Sequence, residues 1–177
     1  LEKSYKEILN QIDTFIFDVD GVLTDATVLV NTNGDLLRTM NVKDGFAIKS
    51  AVDKGYHICI ISGGSNEGVR KRLEGLGVKE IHLGAKYKME ILQDFYKTYD
   101  INPNNALYMG DDLPDYQVMQ TVGLPCCPQD AVPEIKAVSR YISHRMGGKG
   151  CVRDVIEQVL KVQGNWFSGE KANAKEG

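Results

Sequence analysis

Residues 15–19 make a short apolar run in which Asp18 is the one acid; Asp20 follows at once and Gly21 closes the stretch. Preceded by the polar Gln11, Asp13 and Thr14, the run reads as a strand buried on both faces. Side chains two apart in extended chain project the same way, so Asp18 and Asp20 leave the strand end together and Gly21 lets the backbone turn beneath them. Two carboxylates in so small a volume repel unless a cation or a proton offsets them, which points to bound metal, a protonated acid, or both. A lone Asp-x-Asp is more often a capped turn with one solvated acid, so the rest of the chain has to decide.

Strands and helices alternate along it. Tyr5, Ile8, Leu9 and Ile12 fall at helical spacing and predict a short amphipathic helix over residues 1–12. Asp44 is placed to N-cap a helix burying Phe46, Ala47, Ile48, Ala51 and Val52, with Gly55 as its C-terminal cap. A second buried strand at 57–61 runs into Ser62, Gly63, Gly64 and Ser65, then a helix carrying Val69, Arg70, Arg72, Leu73 and Leu76. Strands at 80–83, 106–109, 124–127 and 140–143 and helices at 87–99, 132–138 and 152–162 complete the series. The alternation calls for an α/β, Rossmann-like doubly wound parallel sheet with helices on both faces. Ligands of such sheets gather at the carboxyl ends of the strands near the switch point. Asp18, Asp20, Ser62 and Asp111 fall there, and Lys88 can reach it.

One insertion interrupts the pattern. Residues 26–31 and 35–41 flank Thr32, Asn33 and Gly34, and Asn-Gly between β-rich runs signals a hairpin. Val28 and Val30 point one way and Leu29 the other, with Leu36, Leu37 and Met40 repeating the pattern opposite. A hairpin apolar on both faces is expected to be a subunit interface rather than to lie down on its own core. Residues 1–163 read as one domain and 164–177 as a mobile polar tail, in which Trp166 and Phe167 are expected to dock on a neighbour.

With 177 residues, 25% charged and a net charge of -3, the chain has no basic field for a nucleic acid backbone or an acidic membrane, so a small-molecule partner is expected. Its apolar stretches fall far short of the roughly 18 residues that span a bilayer, and residues 1–12 lack a signal-like core, which suggests a cytoplasmic protein. The four cysteines make no C-x-x-C and read as reduced and structural; the three histidines lack i, i+4 spacing, so any metal should be oxygen-bound rather than zinc.

The remaining polar residues carry the chemistry. Ser62, Gly63 and Gly64 offer a hydroxyl and backbone N–H groups at a helix N-terminus, which suits an anion. Lys88 opens a helix, where the macrodipole disfavours a cation, and so asks for a negative partner. Asp111, Asp112 and Asp115 follow the fourth strand, and N-capping explains only one of them. A carboxylate nucleophile, a second acid, a hydroxyl with amides, a lysine and an acidic cluster for magnesium together describe phosphoryl transfer through an aspartyl-phosphate. Asp18 would attack, Asp20 would serve as acid and base, and Ser62 and Lys88 would hold phosphate oxygens.

Asp18, Val19, Asp20, Gly21, Val22, Leu23 and Thr24, then Ile61, Ser62 and Gly63, then Lys88, then Gly110, Asp111, Asp112, Leu113, Pro114 and Asp115 resemble the four motifs of the haloacid dehalogenase superfamily. With Asn41–Gly45, Gly147–Arg153 and Val162–Gly164 added, the chain from about Thr14 to Gly164 resembles one capless branch, the family of 3-deoxy-D-manno-octulosonate 8-phosphate phosphatases. The resemblance implies a Mg2+-dependent phosphatase of lipopolysaccharide sugar biosynthesis, without a cap domain. It implies a metal site of Asp18, the backbone carbonyl of Asp20 and Asp111, with Asp112 and Asp115 behind them, and a homotetramer in which one subunit's hairpin roofs its neighbour's site. Several members carry Arg where this chain has Gly64, so Arg70, Asn66 and Lys43 become the candidates for holding the sugar carboxylate beside a phosphate cradle of Ser62, Gly63, Gly64 and Lys88. A phosphatase for 2-keto-3-deoxy-nononate 9-phosphate remains open. A phospho-accepting receiver domain fits less well, because here the acid pair and the acceptor share the first strand, and a non-catalytic interaction domain less well still, because no catalytic position is missing.

Overall fold

The computed structural model describes residues 4–167. In chain order these form α1 (Tyr5–Leu9), β1 (Thr14–Phe17), β2 (Leu29–Val30), β3 (Leu36–Leu37), α2 (Val42–Asp53), β4 (His57–Ile61), α3 (Glu67–Gly75), β5 (Glu80–His82), α4 (Lys88–Tyr99), β6 (Ala106–Met109), α5 (Tyr116–Met119), β7 (Leu124–Cys127), α6 (Pro133–Val138), β8 (Tyr141–Ile142) and α7 (Cys151–Val162). Six strands make one sheet in the order β5-β4-β1-β6-β7-β8, every pairing parallel. The chain builds outward from β1 through β4 to β5, then returns to β1's other side for β6 to β8. The connection therefore reverses at β1 and β6, and the crevice forms at their carboxyl ends.

Each strand divides its side chains between two cores. Phe15, Phe17, Ile58, Ile60, Leu107 and Met109 pack toward one helical layer, with Ile48, Val155 and Ile156. Ile16, Cys59, Ile61, Ala106 and Tyr108 pack toward the other, with Leu92, Phe95 and Ile135. This period-two split is why the strands read as unbroken apolar runs: both faces are covered. All four cysteines are buried free thiols, as their spacing suggested. Among the described residues no helix is long and apolar enough to cross a membrane.

Several expectations shift in detail. β1 stops one residue before Asp18, whose Oδ1 turns back to accept from the Val19 N–H at 2.6 Å. The first helix is only Tyr5–Leu9, and residues 1–3 of its expected span lie outside the described residues. Asn41, not Asp44, caps α2, its side chain accepting from the Lys43 N–H. Asp44 lies inside that helix, 1% exposed, and caps a different one: its Oδ1 accepts from the Arg153 N–H at 2.7 Å in the first turn of α7, whose own N-cap is Gly150. Distance along the chain hid this, since a cap supplied by another helix leaves no local pattern.

The hairpin is present with its turn where expected, Leu29 opposite Leu37 and Val30 opposite Leu36. Val28, Leu29, Val30, Leu36 and Leu37 are all exposed, so within one chain neither face is covered. Met40 differs from the expectation, because it lies past the ladder and packs on the main core. Trp166 also finds its partner at home: its ring stands edge-on to Phe46 at 6.1 Å, with the Arg153 guanidinium 5.1 Å above it, while Phe167 is exposed. Residues 168–177 of the expected tail lie outside the described residues.

Candidate active site

The carboxyl end of β1 delivers Asp18 into a nearly closed space. The turn after it is tight, the Thr24 N–H reaching back to the Val19 carbonyl at 3.0 Å. Gly21 takes φ +89 there, and a Cβ on it would stand 1.9 Å from Asp111 Oδ2. Only glycine allows the turn and the approach of Asp111 from the end of β6 at once.

Asp18, Asp111 and Asp115 place carboxylate oxygens within 4.8 Å of one another. Lys88, at the first position of α4 and 7% exposed, lies 3.1 Å from Asp18 Oδ2 and 2.7 Å from Asp115 Oδ1. These are the negative partners its position asked for. Asp115 is fully buried and heavily engaged, since Tyr108 also donates to its Oδ1 at 2.6 Å and the Asp111 N–H to its Oδ2 at 3.2 Å. It fixes Lys88 and the β6 end from behind rather than offering a free oxygen to the crevice.

The electrostatics follow from burial. Desolvation first, and then the charge of Asp115, push the Asp18 carboxyl well above its ordinary range, with Lys88 opposing. Asp111 is pushed up to about 7 by burial, then by Asp18, Asp115 and Asp112. Burial alone would lower the Lys88 ammonium, and the charges of Asp18 and Asp115 together with their hydrogen bonds to it more than reverse this. Three acids against one lysine leave a buried excess of negative charge that a divalent cation would offset.

Ser62 is buried at the end of β4, and its Oγ accepts from the Gly64 N–H at 3.2 Å. The Ser62 carbonyl accepts from the Ala85 N–H and the Gly64 carbonyl from the Gly84 N–H, which ties this loop to the segment leading into Lys88. Asp20 faces the same loop, its Oδ2 3.1 Å from where a Gly64 Cβ would sit.

The other expected residues scatter. Asp112 is exposed and caps its own turn through the Leu113 N–H at 2.7 Å, and its charge adds to the upward push on Asp111. Arg70 donates to the Ile81 carbonyl at 3.0 Å and pairs with Glu67. Lys43 lines a separate cavity of about 580 Å³ with Arg145, Lys149 and Arg153, which none of the central carboxylates enters. Asn66 caps α3 and also donates to the Leu36 carbonyl at 2.9 Å, joining the loop to the hairpin.

Sequence reasoning missed Arg38. Its Nε donates to Asp20 Oδ1 at 2.7 Å and its Nη2 to Asp20 Oδ2 at 2.9 Å, a two-bonded fork whose cation is 8% exposed. One signal was available: Arg38 is the single cation in residues 26–41, an otherwise apolar and neutral-polar stretch apart from Asp35.

A family model described as haloacid dehalogenase-like hydrolase matches residues 80–152. The chain is 37% identical over 153 residues to the 3-deoxy-D-manno-octulosonate 8-phosphate phosphatase of Salmonella typhi, covering 86% of this chain and 81% of that one. The crystal structure of the phosphatase of that name from Yersinia pestis superposes with a TM-score of 0.88 at 30% identity, over 90% of this chain and 86% of that one. The Moraxella catarrhalis phosphatase, solved with magnesium, phosphate and its octulosonate molecule, superposes with a TM-score of 0.87 at 32% identity, over 90% and 92% of the two chains.

Proposed function

Because the chain belongs to the family of 3-deoxy-D-manno-octulosonate 8-phosphate phosphatases, within the haloacid dehalogenase-like hydrolases, we propose that it is a phosphomonoester hydrolase that releases phosphate from 3-deoxy-D-manno-octulosonate 8-phosphate. The observation that carries the reading is the convergence of Asp18, Asp111 and Asp115 with Lys88 beside Asp18, at the sheet's switch point.

The residues present fit magnesium. The donors are all oxygen, no histidine or thiol joins the cluster of Asp18, Asp111 and Asp115, and its buried negative charge is only partly offset by Lys88. Asp18, Asp111 and the backbone carbonyl of Asp20 would hold it, and when bound it would shield the phosphate's charge from the attacking carboxylate.

In this mechanism an Asp18 oxygen attacks phosphorus as the bond to the sugar oxygen breaks, and Asp20 gives that oxygen its proton. Water then attacks the aspartyl-phosphate, Asp20 takes the proton, and phosphate and free Asp18 result. The Ser62 hydroxyl, the Gly63 N–H and the Lys88 ammonium hold the other phosphate oxygens as charge shifts, with the Gly64 N–H donating to Ser62 Oγ and orienting that hydroxyl. The uncovered hairpin supports assembly into a homotetramer, in which one subunit's hairpin roofs a neighbour's site in place of a cap.

The test is phosphate release from the eight-carbon substrate and its nine-carbon 2-keto-3-deoxy-nononate analogue, with magnesium and after chelation. A kcat/KM favouring the eight-carbon substrate, abolished by chelation and restored by magnesium, is the expected result. Release that is indifferent to chelation, or preference for the nine-carbon substrate, overturns the metal or the substrate respectively.

A further inference from the structure

Asp20 is gripped by a residue from outside the catalytic stretches. Its carboxylate has about four acceptor positions, and their use is uneven. Oδ1 accepts from Arg38 Nε at 2.7 Å and from the Thr24 hydroxyl at 3.3 Å. Oδ2 accepts from Arg38 Nη2 at 2.9 Å. That same Oδ2 faces the Ser62 to Gly64 loop, 3.1 Å from the position a Gly64 Cβ would take. The oxygen with capacity to spare is thus the one turned toward the phosphate cradle.

Arg38 is itself held. Its Nη1 donates to the Leu36 carbonyl at 3.0 Å, and the same carbonyl accepts from Asn66 Nδ2 at 2.9 Å. The start of β3 is therefore fastened to the cap of α3, and the guanidinium lies between hairpin and loop. Gly64 makes the space, since a Cβ there would also come within 3.1 Å of Arg38 Nη2. A planar fork bound at two points fixes the plane of its carboxylate, which a lysine's single ammonium cannot do.

We propose that Arg38 is the positioning residue of the acid–base carboxylate: its fork sets the plane of Asp20 so that Oδ2 faces the leaving oxygen, and it makes proton transfer depend on the seating of the hairpin. The proposal rests on the reading of Asp20 as the group that protonates the sugar oxygen. Arg38 touches no reacting atom; it acts through Asp20.

Leaving-group chemistry isolates such a role. A sugar alkoxide needs a proton as it departs, whereas p-nitrophenolate departs without one, and kcat/KM reports only the steps through the first bond cleavage. Arg38→Met is expected to lower kcat/KM for the sugar acid phosphate by roughly 100-fold, the usual scale of acid–base catalysis, and for p-nitrophenyl phosphate by no more than about threefold. In an Asp20→Asn background the same substitution should cost the sugar phosphate nothing further, because two residues acting through one group are not additive. Arg38→Lys, which keeps the charge and loses the fork, should recover only part of the loss.

Equal losses on both substrates, additive losses in the Asp20→Asn background, or a lysine enzyme matching the wild type would each overturn the proposal. Should the wild type spare the octulosonate phosphate, the substrate assignment falls alone. The comparison of alkyl with aryl leaving groups then proceeds on whichever alkyl phosphate the enzyme does cleave.

Discussion

The carboxyl end of the sheet and the hairpin beside it are built by opposite means. β1 and β6 are four-residue strands with every side chain buried, and the acids they release meet a lysine that enters from α4. The hairpin has two-residue strands, and its apolar side chains stand in the open. A two-stranded ribbon is marginal by itself, yet this one delivers an arginine to Asp20. The sheet end gains its geometry from the core, at an electrostatic cost. The hairpin gains geometry from a few polar ties and leaves apolar surface for something else to cover.

The largest expected effect breaks the comparison on the sheet side. Asp18→Asn should reduce turnover by at least about 10^4-fold, the scale on which loss of a nucleophile acts. Its metal-free melting temperature should not fall, because burial already disfavours the Asp18 charge and the amide removes it. Near-normal turnover would end the aspartyl-phosphate mechanism. A marked fall in melting temperature would instead mean that the contact with Lys88 stabilises the fold.

A smaller effect is expected on the hairpin side. Replacing Val28 and Val30 with lysine should yield smaller species in light scattering and raise KM for the sugar phosphate by about tenfold, while the monomer's core still melts cooperatively. Wild type running as a monomer with full activity would show that the exposed faces need no partner.

What could be read from the sequence divides along the same line. Strands buried on both faces announce themselves as apolar runs, so 57–61, 106–109 and 124–127 match β4, β6 and β7 residue for residue. Asp18, Asp111, Asp115 and Lys88 were legible because each sits at an element's end, where parallel topology collects side chains. Arg38 was not, because which way a hairpin folds over a site depends on ties such as Asn66 to Leu36 that have no local signature. Asp44 was misread for a related reason. Its residue type announced a cap, but the helix it caps begins more than a hundred positions later, at Cys151.

That cap yields the last and smallest effect, one on stability alone. Asp44 belongs to the sheet side of the comparison. The first turn of α7 that it holds follows a glycine loop whose Gly148 N–H donates to the Val22 carbonyl at 2.9 Å, beneath the turn that presents Asp20. Its Oδ2 is buried without a hydrogen-bond partner. Burial pushes its carboxyl up to about 6 from 3.8, against the pull of the Arg153 and Gly150 N–H groups and the Arg153 charge. A raised carboxyl means that the folded chain binds this proton more tightly than the unfolded one. The group's contribution is then most favourable below about pH 4 and is lost as pH rises through 6, a span of roughly two units or about 3 kcal/mol. Asp44→Asn keeps an oxygen for the Arg153 N–H and cannot ionise. Urea unfolding should therefore find the amide variant more stable than wild type by about 1 kcal/mol near pH 4.5 and by about 3 kcal/mol near pH 7.5. Asp44→Ala, which gives up the cap, should lose about 1 kcal/mol relative to Asp44→Asn at both values. If the amide variant is instead the less stable at pH 7.5, the positive end of α7 outweighs burial, and the Asp44 charge would be a stabilising part of the brace beneath the active-site turn.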